Sequence, residues 1–300
     1  MKNFVLIGAA GYIAPKHFQA IKDTGNNLLA ALDKHDSVGV LDAYFPKADF
    51  FTEFERFDRH CEKLRRNGSP VHYVGVCSPN YLHDAHARFG LRIGAHVICE
   101  KPVVLNPWNV EALMEIEKET KRKVYTIQQL RLHPAILDLK EKVAKEETAK
   151  KYKVDLKYIT ARGNWYHSSW KGDLDKSGGI ATNIGIHFFD LLLWIFGDVK
   201  DNRVSRYTAT GAAGDLSLDK ADISWDLSID ENELPAAIRE QGKKKWRSLV
   251  VDGKEIPLND GFDELHTEAY KEILNNKGIG LEEAGKAIAL AHQIRNFNTR

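Results

Sequence analysis

Three hundred residues exceed the usual size of one domain and predict two. With 43 basic and 42 acidic side chains the formal charge is +1. That balance gives no broad basic field of the kind nucleic acid requires. No apolar run approaches the length of a membrane span, and Met1-Lys2-Asn3 leads straight into a first strand without a signal segment. Cys61, Cys77 and Cys99 are odd in number and lack metal-ligand spacing, which predicts reduced thiols and a cytoplasmic setting.

The run Phe4-Val5-Leu6-Ile7 is apolar throughout, as a strand buried on both faces requires. It enters Gly8-Ala9-Ala10-Gly11-Tyr12-Ile13-Ala14, then Pro15 and a helical stretch to Asp23. Strand, glycine turn and helix is the context in which a dinucleotide is cradled: glycines let the backbone approach a pyrophosphate, and the helix amino end offers N–H groups and a positive dipole. The spacing is G-x-x-G-x-x-A, one residue longer than G-x-G-x-x-G, and a plain strand-to-helix turn would leave the same trace. The second run, residues 28–32, ends at Asp33, about twenty residues past the glycines, where a carboxylate takes the ribose hydroxyls of NAD. Asp36 is the competing candidate.

Residues 42–57 are rich in aromatics that suit packing on a sheet, and Thr52-x-x-Glu55 has the form of a capping box opening a helix to about Arg66. Strands are expected at residues 73–77, 97–99 and 124–127, with a helix starting at Asn106-Pro107 and ending near Lys121. Ser78-Pro79-Asn80 and Glu100-Lys101-Pro102 then stand at the carboxyl edge of a parallel, doubly wound sheet, where such sheets bind ligands. His83 and His86 are three apart without a third ligand in view, so no metal site is expected.

The rhythm changes near residue 130, which places a Rossmann α/β domain at 1–130 and an α+β domain at 131–300. The second half opens with a helix from His133-Pro134 to about Lys150. Strands are expected at 152–162, 204–210, 221–229 and 246–256, the last with an Asp252-Gly253 hairpin turn, and helices at 263–275 and 281–298. Together these give a large, open, mostly antiparallel sheet with helices. Gly178-Gly179 permits close backbone approach to a ligand. Asn183 and His187, four apart, share a face if that segment is helical. His187 is then a candidate base or a hydrogen-bonded core histidine.

The glycine turn with His17, the run Ser78-Pro79-Asn80-x-x-His83, the element Cys99-Glu100-Lys101-Pro102, and Ser177-Gly178-Gly179 leading to Gly185-x-His187 resemble the glucose–fructose oxidoreductase/inositol dehydrogenase family (Gfo/Idh/MocA) along essentially the whole chain. The resemblance implies NAD-dependent oxidation of a sugar or polyol hydroxyl. Its lysine and histidine map onto Lys101 and His187. Cofactor contacts are implied at Gly8, Gly11, Tyr12, Ile13, Asp33, Ser78, Asn80, His83, Glu100 and Lys101. Many relatives carry aspartate four residues before the histidine; here Asn183 stands there and is assigned to positioning substrate. Gly8 to Pro15, Asn80 to His86 and Glu100 to Trp108 further resemble a subgroup acting on UDP-N-acetylglucosaminuronic acid at its C3 hydroxyl in surface-polysaccharide synthesis. Such a substrate is anionic, and Arg131, Lys171 and Arg162 are candidate partners, with Tyr166 and Trp170 against sugar or uracil. The resemblance also implies a homodimer or homotetramer. A dehydrogenase of another sugar or polyol, or an NAD-sensing regulator without turnover, are the alternatives.

Overall fold

The computed structural model describes residues 1–146, 151–258 and 260–297, so the expected ends of the helices at 147–150 and at 298 lie outside the described residues. The chain forms two compact units. One comprises Met1–Gln129 together with Asp263–Gly285, the other Leu130–Phe262 with Lys286–Arg300. A single cut at residue 130 therefore misses the return of residues 263–285 to the first unit. Periodicity places those residues on a helix but does not say which sheet that helix covers.

The first unit is a six-stranded parallel sheet of β1 (Asn3–Ile7), β2 (Asn27–Leu32), β3 (Asp49–Phe51), β4 (Tyr73–Val76), β5 (His96–Cys99) and β6 (Val124–Thr126), ordered β3-β2-β1-β4-β5-β6. β1 is buried from Phe4 to Ile7, as its continuous apolar run requires. The order reverses between β1 and β4, which marks the ligand edge of such a sheet. Two expectations fail at residues 49–55. β3 is a strand where aromatic packing alone was expected: Phe50 and Phe51 also extend the sheet, in register with Ala31 and Leu32. The helix Phe54–Arg66 is capped at Glu53 in extended backbone with no side-chain cap hydrogen bond, so the Thr52 capping box does not form.

The second unit's sheet comprises β7 (Tyr152–Thr160), β8 (Val199–Tyr207), β9 (Gly211–Leu218), β10 (Ala221–Ser228), β11 (Lys245–Val251) and β12 (Lys254–Glu255), ordered β12-β11-β7-β10-β9-β8. The β7–β10 pair is parallel and the remaining pairs are antiparallel. β9 is absent from the sequence expectations because Gly211-Ala212-Ala213-Gly214 lacks the branched side chains that announce a strand. Gly214 is required there: a Cβ would lie 2.3 Å from the Arg203 carbonyl oxygen and against the Trp225 indole.

Among the described residues one helical stretch, Leu174–Phe196, is long and apolar enough to cross a membrane, where the sequence predicts no such run, but 83% of its apolar window is buried inside the chain. It is the unit's core helix. Arg131 joins it: its Nε and Nη2 donate to the two carboxylate oxygens of Asp190 at 2.8 and 2.7 Å, both side chains being buried. We expect Arg131→Leu to destabilise the protein by about 3–5 kcal/mol, because Asp190 stays buried without its guanidinium. The double replacement with Asp190→Leu should recover most of that loss, as urea denaturation will show.

Candidate active site

Gly8 stands at the carboxyl end of β1 with φ +92°, and a Cβ there would lie 2.5 Å from the Cys77 carbonyl carbon and 2.6 Å from the Ser78 nitrogen. The glycine loop thus touches the end of β4 at the switch point, and only a residue without a side chain fits. The loop is held from the other side by β2: Gly8 and Ala9 N–H donate to the Leu32 carbonyl, and Ala10 N–H donates to Asp33 Oδ2 at 3.0 Å. Asp33 is half-buried at the strand end, with its second oxygen accepting from His35 N–H, whereas Asp36 is exposed. Asp33 is the better placed of the two candidates. The N–H groups of Tyr12 and Ile13, before the helix Ala14–Asp23, have no acceptor among the described residues, and the Tyr12 side chain is 94% exposed. A cradle closed to Cβ atoms, two open amides and a carboxylate at the end of β2 fit an adenine dinucleotide.

Lys101 follows β5 on the same edge, half-buried, with a cis peptide to Pro102. Both of its neighbours are tied down. Glu100 Oε1 accepts from His17 Nε2 at 3.0 Å and from His266 Nε2 at 3.1 Å, and its Oε2 accepts from the Lys101 N–H at 3.3 Å. On the other side the His83 ring nitrogens face the carbonyls of Pro102 and Ser78, each at 2.7 Å. Glu100 and His83, both expected to meet the cofactor, are buried, and their side chains engage protein groups that brace the edge. Ser78 is likewise buried, its hydroxyl 2.8 Å from His86 Nδ1, and Asn80 is buried beside it.

The Glu100 cluster is the feature the sequence analysis missed. His266 and Tyr270 sit one turn apart on the helix Leu265–Leu274, and their burial on an amphipathic face is the only trace they leave. Tyr270 lies over Phe4 and places its hydroxyl 2.7 Å from His17 Nδ1. The His17, His266 and Glu100 ligand atoms lie within 4.8 Å of one another, a spacing a divalent cation could also bridge. Hydrogen bonds satisfy these groups as they stand: with the Tyr270 hydroxyl donating to His17 Nδ1, both Nε2–H groups donate to Glu100. Burial would raise the Glu100 pKa, but the hydrogen bonds from His17 and His266 outweigh it and hold the carboxyl well below its usual range. Burial lowers the pKa of His17, with Glu100 opposing.

In the second unit the core helix widens to a π-helix over Ile180–Gly185, then resumes as an α-helix over Ile186–Phe196. Such insertions gather at functional sites because they re-aim side chains. Asn183 lies in the widened turn, and His187 is half-buried where its neighbours are fully buried. Asn183 Nδ2 donates to the buried Tyr166 hydroxyl at 3.1 Å. Gly178 and Gly179 were expected to approach a ligand; added Cβ atoms would instead strike Thr182 and the Tyr207 hydroxyl, so these glycines serve packing. Lys171 lies 4.4 Å from the Trp170 ring centre and 5.8 Å from that of Trp165. Burial lowers its pKa, and Arg162 adds to the effect. Among the described residues no carboxylate pairs with Lys171 or Arg162. Arg131, by contrast, gives two donors to Asp190 and braces the unit, which removes it as a first choice for substrate anions.

Two family models match the chain: one described as an oxidoreductase family, NAD-binding Rossmann fold, over residues 2–128, and one as its C-terminal alpha/beta domain, over residues 140–245. The WlbA (WbpB) dehydrogenase of Thermus thermophilus, solved with NAD and alpha-ketoglutarate and with NAD and UDP-GlcNAcA, is 48% identical, with a TM-score of 0.95 over 98% of this chain and 95% of that one. The WlbA dehydrogenase of Bordetella pertussis shares the fold at 17% identity, with a TM-score of 0.80 over 98% of this chain and 94% of its own. The inositol 2-dehydrogenase of Rhizobium meliloti is 23% identical over 95% of this chain and 90% of its own length. Replacing Gly8 with Ala should abolish NAD binding in a fluorescence titration, because the loop must leave the end of β4 to admit the methyl group; wild-type affinity in that variant would overturn the assignment of the cradle.

Proposed function

Since the chain belongs to the Gfo/Idh/MocA oxidoreductase family, whose amino-terminal domain binds NAD in a Rossmann fold, we propose that it oxidises the C3 hydroxyl of UDP-N-acetylglucosaminuronic acid to a ketone. One observation carries the choice of substrate: identity of 48% along nearly the whole chain to the Thermus dehydrogenase, which was solved with NAD and UDP-GlcNAcA.

Gly8, Gly11 and the Tyr12 and Ile13 amides receive the pyrophosphate, and Asp33 the adenosine ribose. When bound, NAD supplies the acceptor for the hydride. The protein's share is the proton and the charge. His187 takes the proton from the C3 hydroxyl, imidazole being a base available near neutrality. Lys101 stabilises negative charge on that oxygen and relays the proton. Arg162 and Lys171 meet the diphosphate and carboxylate, with Trp170 and Trp165 beside them, and Asn183 with Tyr166 orients the sugar. A reduced compartment, the cytoplasm, suits the three free, buried cysteines. Assembly as a dimer or tetramer belongs to the same reading and is measurable by light scattering.

We expect His187→Asn to slow single-turnover NADH formation from UDP-N-acetylglucosaminuronate by about 10²–10⁴-fold. Lys101→Met should lose turnover while NAD still binds. Normal rates in either variant, or faster NAD reduction with free inositol or glucosides than with the UDP-sugar, would remove this reading.

The alpha-ketoglutarate held by the Thermus relative favours a second half-reaction at the same site. The 2-oxo carbon accepts hydride from NADH and its oxygen a proton, which gives 2-hydroxyglutarate and restores NAD. Equal amounts of 3-keto sugar and 2-hydroxyglutarate, formed with NAD supplied only at the enzyme's own concentration, are the expected result.

A further inference from the structure

We propose that His266, on the segment Asp263–Gly285 that returns to the first unit, is a positioning residue for Lys101, acting through the Glu100 carboxylate. The inference rests on the role given to Lys101 above.

The path is short and complete. The His266 and His17 Nε2–H groups grip Glu100 Oε1 at 3.1 and 3.0 Å, and the other oxygen of the same carboxylate receives the main-chain N–H of Lys101. His17 is fixed in turn by the Tyr270 hydroxyl at 2.7 Å. All four supporting side chains are buried. A carboxylate deprived of water keeps its charge only while donors surround it. Should one donor leave, the carboxyl takes up a proton at a higher pH than before, its Oε2 becomes a poor acceptor, and the Lys101 peptide loses its tether. The groups that face Glu100 are His17, His266 and Tyr270 from the two helices, Cys77 and Cys99 from the strand ends, and His83 and Lys101 along the edge. The thiols and the Tyr270 hydroxyl are pushed up by burial and remain neutral.

The sign follows. A carboxyl with a depressed pKa keeps its function at neutral pH and loses it as pH falls through that value. Removing a donor raises the value and moves the loss upward.

The test compares His266→Leu, His266→Gln and Tyr270→Phe with the full-length wild type, each checked for folding by circular dichroism. In His266→Leu, kcat at neutral pH should fall by up to about 10²-fold, as a small misplacement of a catalytic group allows, while the Kd for NAD changes little. The acid limb of the kcat profile should move up by about one to two pH units, the effect of losing one hydrogen bond to a charged group. His266→Gln, which keeps an N–H donor, should return the limb toward its wild-type position. Tyr270→Phe, which removes a single oxygen, should move it in the same direction by less. A merely structural role would lower Tm and leave the acid limb in place. An unmoved limb in folded His266→Leu, or in Tyr270→Phe if the first variant does not fold, would overturn the proposal. Retained turnover in Lys101→Met would instead sink the role of Lys101, so the two failures are distinguishable.

Discussion

A carboxylate at Glu100, removed from water and kept charged, is the constraint to which the first unit is fitted. Taking such a group out of water unpaired would cost several kcal/mol, so it must be met by donors that stay in place. His17 comes from the helix after the glycine loop, His266 from the helix near the chain's end, and the Lys101 N–H from the adjoining residue. Each donor belongs to a different stretch, and joining them brings the glycine loop, Lys101 and the return segment into one unit. The sheet provides the platform: β1, β4 and β5 end side by side, and the contact of Gly8 with Cys77 brings the cradle up against the end of β4.

The second unit meets the same kind of constraint with an ion pair. Arg131 and Asp190 are both buried, and the pair tends to fix one arrangement of the core helix more than to add stability. On that helix, an inserted π-turn separates the packing of Ile180 and Ile184 from the presentation of Asn183 and His187. A regular α-helix would meet the same apolar partners with a different face.

Where structure follows from local pattern, the sequence is a good guide. The strands β1, β4 and β5 are runs of apolar residues bounded by glycine or proline, and the Asn106-Pro107 start of the helix Pro107–Thr120 is local chemistry. The positions of Lys101, Asp33 and His187 at the end of such an element or beside a glycine turn are visible in the sequence. Illegible were the features decided by distant partners. β3 is a strand because β2 has a free edge, β9 because Gly214 must lie against Arg203 and Trp225, and Arg131 a brace because Asp190 lies 59 residues away. The edge position of Glu100 is visible in the sequence, and the two histidines that reach it are not.

The first unit is discontinuous in sequence, and synthesis runs in one direction. When residues 1–129 have left the ribosome, all six of its strands exist, but His266 and Tyr270 do not. The nascent domain must then hold Glu100 with His17 and the Lys101 N–H while more than a hundred further residues are added. Amino-terminal domains commonly fold first during translation; here that early fold is provisional. The segment Asp263–Gly285 supplies the missing donor late, and a ribosome that stalls before residue 266 yields a Rossmann sheet whose ligand edge has not been locked.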